Sequence, residues 1–298
     1  MKRINSSSYL LLTAFLILIS SLATSQEAMR YIYHASESSM DTRYDYHWQV
    51  LRAALERTQP SFGPYLMESA EYMNERRQII ELKKNNEKLT VIIRETSIKY
   101  EETLTPVRIP VDKGFIGYRV FLIKKENQPK FHDITNLDEL KKFSIGQGVG
   151  WGDIAILEAS DFKVVVGSNY QGLFGMLLRG RFDMFSRGVA EVIAEYQARK
   201  AEMPKLHIEE TIALYYPLPT YFWFAKSKQG KLLASRVEQG MLEMIEDGSF
   251  DALFMRYHAH IIEWHKLNQR KIFRIDNPFL PVKTPFEDKR LWFYPLSP

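Results

Sequence analysis

Between Ser144 and Glu195 the chain repeats one pattern: a short apolar run, a turn of small residues, then a helix. It reads S-I-G-Q-G-V-G-W-G-D, and later F-K-V-V-V-G-S-N-Y-Q-G-L-F-G-M-L-L-R-G-R-F-D-M-F-S-R-G-V-A-E. A third strand, Met184 to Ser186, ends on Arg187-Gly188. Units of this kind build open α/β sheets, which hold ligands at the carboxyl edge of their strands. Polar and aromatic residues stand at that edge here, so the segment reads as half of a binding cleft. Its middle helix starts at Ser168-Asn169-Tyr170-Gln171, which fits a capping box, and stops at Gly180. Leu173, Phe174, Leu177 and Leu178 form its apolar stripe.

The first hundred residues carry a related alternation. Arg30 to His34 suits a first strand, and Tyr44, Trp48, Leu51 and Leu55 recur at helical spacing. Pro64 to Glu68 makes a second strand, and Tyr72, Ile79 and Leu82 mark another helix. Leu89 to Ile93 is rich in β-branched residues and suits a strand buried on both faces. Tyr118 to Ile123 is a further strand, and Thr135-Asn136-Leu137-Asp138 opens a short helix. Pro217 and Pro219 exclude a central strand there, so an extended crossing becomes a strand only at Tyr221. Leu233, Val237, Met241 and Met244 stripe one late helix; Phe250, Leu253, Phe254, Tyr257 and Ile261 stripe the next. Five prolines after residue 277 predict an extended tail lying on the surface.

The amino terminus bears Lys2 and Arg3, then an apolar run from Leu10 to Leu22, then Ala23-Thr24-Ser25. That run is about 13 residues, short of the roughly 20 that span a bilayer. It reads as a secretory signal peptide cut near Ser25 rather than as a membrane anchor. The chain has no cysteine, which excludes disulfides, thiolate metal sites and lipid attachment at a cysteine. Two of the four net positive charges are Lys2 and Arg3, so nothing electrostatic points to nucleic acid or a membrane surface. A length of 298 residues and 45% hydrophobic content suit a globular chain of two domains. The seven histidines show no metal spacing, and no cofactor is implied.

The order of these parts resembles the bacterial solute-binding proteins of the type 2 periplasmic fold, especially the family 3 group that often binds polar amino acids. The resemblance spans roughly Arg30 to Trp264. It is carried by G-Y-R-V-F-L-I from Gly117, G-S-N-Y-Q-G-L-F from Gly167, G-R-F-D-M-F-S-R-G from Gly180, and the return from Tyr216 to Asp251. It implies an α/β fold of two lobes, each a mixed sheet flanked by helices, joined by two hinge crossings near Tyr118 and near Pro217 to Thr220. The expected division is a leader at 1–25, a first lobe at 26–117, a second lobe at 118–220, a return to the first lobe at 221–264, and a tail at 265–298.

The resemblance also locates two departures. Where those binders place an arginine for a ligand carboxylate soon after the third strand, Tyr100 stands in Thr96-Ser97-Ile98-Lys99-Tyr100-Glu101. Where their second lobe offers an acid for a ligand ammonium, this chain has Ser186-Arg187. A ligand with an anionic group suits Arg187 better, with help from backbone amides of the Gly146 to Gly152 loop. The competing role for Arg187 is an ion pair with Glu37 or Glu95. Trp151 stacks on a ligand or merely covers the cleft. Asn169 and Tyr170 contact ligand or only cap their helix. His34, Glu37, Arg94 and Thr96 follow the first and third strands and complete the candidate set.

The expectation is therefore an exported, soluble, monomeric, periplasmic protein that closes on a small polar, anionic molecule without converting it. It would deliver that molecule to an ABC permease or report it to a membrane sensor, with no nucleic acid involved. Two rivals stay open: a dehydratase-like enzyme on the same fold, and a ligand-free protein-interaction module.

Overall fold

A computed structural model describes residues 27–36 and 44–294. The leader and Glu37 lie outside the described residues.

Two sheets organise the molecule. In the first, β1 (Met29–Tyr33) and β2 (Tyr65–Ser69) pair in parallel. β3 (Ile92–Glu95), β11 (Thr220–Ala225) and β4 (Leu104–Val107) pair in that order, with β11 antiparallel to both neighbours. A bridge from Tyr33 to Val91 joins the pairs, so the spatial order is β2-β1-β3-β11-β4. The second sheet runs β7 (Val164–Gly167), β6 (Ile145–Gly148), β8 (Met184–Gly188), β5 (Tyr118–Lys124), β10 (Ile212–Tyr215) and β12 (Lys271–Arg274). β9 (Leu206–Ile208) pairs with the far end of β5. The two sheets thus repeat one plan. Each has three parallel strands from its own β/α run, then one antiparallel strand that the chain reaches by crossing from the other sheet.

The helices follow the expected stripes. α1 (Asp45–Arg57) buries Tyr46, Val50, Leu51, Ala54 and Leu55, and Thr58 ends it by donating its hydroxyl to the Ala54 carbonyl. α2 (Gln59–Phe62) is a single turn. α3 (Glu75–Lys84) begins at Asn74, whose side chain accepts from the Arg77 amide. Tyr72 lies outside that helix and is exposed, unlike the expectation. β3 also starts later than expected and takes in Arg94 and Glu95. After it come α4 (Ile98–Thr103), α5 (Gln128–His132), α6 (Leu137–Leu140), α7 (Asp153–Ala159), α8 (Tyr170–Leu178), α9 (Val189–Arg199), α10 (Lys228–Glu246) and α11 (Ser249–His265). The cap of α8 is Asn169, not Ser168: its Oδ1 accepts from the Gly172 amide at 2.7 Å.

The chain passes between the sheets at residues 108–117 and 216–219, and Asp112 ties the two passages together. Its Oδ1 accepts from the Thr220 hydroxyl at 3.0 Å and the Gly114 amide at 3.2 Å, and its Oδ2 from the Ile116 amide at 3.1 Å. The tail is more than a surface trace. β12 adds in parallel to β10, in the register Ile212 to Lys271 through Tyr215 to Arg274, and Trp292 is buried.

Helix α10 lies unusually close to α1. A Cβ on Gly240 would stand 2.2 Å from the Ala54 carbonyl oxygen, a backbone atom that cannot swing aside. Gly240→Ala should therefore lower stability by about 1–3 kcal/mol despite its better helix propensity, as read by urea unfolding. A pH effect comes from α11. His258 Nδ1 lies 3.0 Å from the Phe254 carbonyl oxygen and His265 Nε2 lies 2.9 Å from that of Val189. Burial pulls both rings from 6.5 down to about 4, against those hydrogen bonds. Below pH 6.5 the unfolded chain takes up protons that the folded chain refuses until about pH 4. Stability should be full above pH 6.5 and fall by up to about 3 kcal/mol per histidine as pH drops to 4 and below. Melting curves of wild type and His265→Gln across that range check it; the variant should lose less.

Candidate functional site

The carboxyl ends of β3, β6 and β8 converge where the chain crosses between the sheets. On the second lobe, β8 delivers Arg187 and runs directly into α9. Four and eight residues on, one helical face presents Glu191 and Glu195. Arg187 Nε lies 2.8 and 3.0 Å from the two Glu195 oxygens, its Nη2 lies 2.6 Å from Oε1, and Glu191 Oε2 is 3.2 Å away. The guanidinium stands over Trp151 at 4.8 Å and Tyr170 at 5.6 Å. Burial opposes the charge on Arg187, and the two glutamates more than offset it. Burial and the Glu195 carboxylate, to which its hydroxyl donates, hold Tyr170 neutral. Among the described residues the partners of Arg187 are thus Glu195 and Glu191 of its own lobe, not the expected Glu95, while Glu37 lies outside the described residues. The signal was in the sequence: R-G-V-A-E-V-I-A-E puts both acids one turn apart on the helix that follows the strand.

A second ion pair lies beside it. Arg119, on β5, meets both Asp153 oxygens at 3.0 and 3.1 Å and approaches Glu191 at 3.9 Å. Beneath this pair two polar side chains are fully buried without partners: Gln147 on β6, at both amide atoms, and Ser186 on β8, at its hydroxyl. The register that sets Gly146 against Phe185 makes these two residues neighbours on one face.

The first lobe contributes less of the expected set. His34 is buried and packs edge-on against Tyr44 and Trp48, at 4.6 and 4.9 Å, so it belongs to the core. Arg94 is buried and turns into its own lobe, donating to Gln78 Oε1, the Ile93 carbonyl and, at 3.4 Å, the Tyr44 hydroxyl. Tyr100 packs edge-on against Trp223 at 5.7 Å. Thr96 donates its amide to the Pro219 carbonyl, while its buried hydroxyl has no partner. The residue that reaches out is Glu95, exposed at the end of β3. Its side chain keeps contact with solvent, yet the protein packed around the carboxyl raises it above the usual range; its own amide and Arg94 pull it down, and the negative charges of Asp153 and Glu75 push it up. Glu95 therefore feels an acid of the opposite lobe.

The glycine loop has a packing explanation. A Cβ at Gly146 would stand 2.3 Å from the Phe182 ring, and one at Gly148 2.5 Å from Trp151. Gly150 has φ +83° and serves the turn. Asn169 is exposed and occupied as a cap. The structure thus gathers Trp151, Tyr170 and Arg187 into one cluster, sets Ser186 on the other face of the sheet, and leaves His34 and Arg94 inside the first lobe.

No protein-family model matches the chain, and no curated protein matches it in sequence. Solved structures do. The chain is similar to an ancestral arginine-binding protein bound to arginine, with TM-score 0.52 and 17% identity over 78% of this chain and 99% of that one. It is similar to an amino-acid ABC transporter substrate-binding protein from Streptococcus pneumoniae bound to L-arginine, at 0.51 and 12% over 78% and 94%. It is also similar to a structure from the study of glutathione import in Streptococcus mutans, at 0.53 and 13% over 78% and 96%. The fold is thus the two-lobed α/β fold of bacterial ABC-transporter substrate-binding proteins. Structures of the amino-acid binders stand among its neighbours, as the sequence resemblance implied. Among the described residues no helix is long and apolar enough to cross a membrane.

The contacts make Arg187 a structural ion-pair partner first. Arg187→Ala should lower the ligand-free melting temperature, because it leaves the half-buried Glu195 carboxylate without its cation, at a cost of about 3 kcal/mol or less. The double variant Arg187→Ala/Glu195→Ala should cost less than the sum of the two single changes, which a double-mutant cycle measures.

Proposed function

We propose that this chain is an exported solute-binding protein that takes a small polar solute carrying a positive charge between its lobes, without converting it. It then serves an ABC permease or a membrane sensor. One observation carries the sign of the charge: Glu95 stands exposed at the end of β3 and, among the described residues, makes no ion pair with a cation of the second lobe. Arg119 and Arg187 are meanwhile taken up by Asp153, Glu191 and Glu195 of their own lobe. A cationic group beside Glu95 is favoured by its negative charge. An anionic solute at Arg187, the expectation from sequence, loses its main support because that cation is already matched by two carboxylates. The fold supports the transport reading, the basic and apolar pattern expected to be a leader at 1–25 supports export, and the sheet composition supports lobes that divide near residues 118 and 220.

One observation favours the enzyme rival: a carboxyl raised above its ordinary range, as in Glu95, is what a general acid needs. The experiment separates the readings. Melting is followed with arginine, lysine, glutamine, glutamate and glutathione, and any bound molecule is recovered for mass spectrometry. A basic solute should raise the melting temperature by linkage and return intact. Glu95→Gln should weaken its binding about tenfold to a hundredfold while leaving the ligand-free melting temperature unchanged. A shift with glutamate alone reverses the sign of the ligand. A converted molecule establishes the enzyme, and no shift with any solute favours the interaction module.

A further inference from the structure

The tail after α11 engages both passages between the lobes. β12 docks it to the edge of the second sheet, where Arg270 donates to the Glu209 and Ile212 carbonyls at 2.7 and 2.9 Å. From there the Ile275 amide donates to the Tyr215 carbonyl at 3.0 Å, and Asn277 Nδ2 to the Pro217 carbonyl at 3.0 Å, on the second passage. The chain then returns to the first. The Phe293 amide donates to the Lys113 carbonyl at 2.8 Å, the Tyr118 hydroxyl donates to the Phe293 carbonyl at 3.1 Å, and Lys113 Nζ donates to the Arg290 carbonyl. Trp292, 4% exposed, fills the space over Gly114, where a Cβ would stand 2.7 Å from the ring. The Phe293 ring meets Phe115 and Phe254, each at 5.4 Å.

We propose that residues 275–294 are a strap laid across both passages, and that it restricts rotation of one lobe against the other. Hinge motion concentrates backbone rotation in a few connecting residues that are free to turn. Here carbonyls and side chains of both passages are bonded to one further segment, and that segment is itself fixed to the second sheet. Rotation must break those bonds or carry the strap along. The inference concerns the hinge alone and holds whatever the solute is.

The chain has no cysteine, so two introduced ones label it cleanly. Lys83→Cys on α3 and Glu158→Cys on α7 are exposed positions beside the first and second sheets. Paired spin labels there report the distance between lobes in the ligand-free protein. The otherwise intact chain should give one narrow distribution. A chain ending after Asn277 should give a broader or shifted one, with its circular dichroism unchanged. An unchanged distribution in that folded, shortened chain overturns the strap. Should the shortened chain fail to fold, Trp292→Ala with Phe293→Ala in the full chain decides. Broadening supports the proposal, and the parent distribution overturns it.

Discussion

The hydrogen bonds of Asp112 are the contact on which the rest of the architecture turns. Each sheet is completed by an antiparallel strand, β5 or β11, that arrives from the other half of the molecule. The two passages must run side by side, and Asp112 on the first holds Thr220 at the end of the second while capping the turn at Gly114 and Ile116. Burial raises its carboxyl, and the hydrogen bonds it accepts oppose that rise. A carboxylate can stay there because it receives donors from both passages, which is how buried charges are tolerated. With the passages fixed, the carboxyl ends of β3, β6 and β8 are brought to one place, and everything said of the cleft depends on that meeting.

The chemistry of the second lobe follows from charge matching within it. A buried guanidinium is costly unless paired, and α9 supplies two acids at helical spacing directly after the strand that carries Arg187. The pairing holds Trp151 and Tyr170 against the cation. Gln147 and Ser186 differ in kind: they are buried and neutral without partners, one register step from an ion pair. Such groups ordinarily have a bonding partner.

The β/α order, the crossing prolines and the long late helices were legible in the amino-acid sequence, because each rests on local rules of spacing and turn chemistry. Tyr118 to Lys124, Thr220 to Ala225 and the stripes of α10 and α11 fall where the apolar periodicity puts them. The site was legible only as an edge. Glu195 and Glu191 could have been found from their spacing after Arg187, whereas the influence of Asp153 on Glu95 joins residues 58 positions apart on different lobes. No local pattern encodes such a pair.

Sequence alone determined the class of fold, the place of the crossings and the edge at which residues of interest gather. Those features are set by backbone propensity and side-chain period, which act over a few residues. Tertiary structure decided which of the candidates face the cleft and which are consumed. It turned Arg94 and His34 into the first lobe, matched Arg187 to its own helix, and brought Glu95 under the influence of Asp153. It also took a proline-rich tail and bound it to both passages through backbone carbonyls. Charge compensation and backbone pairing are satisfied by whichever groups folding brings within reach, so their outcome exists only once the sheets have met.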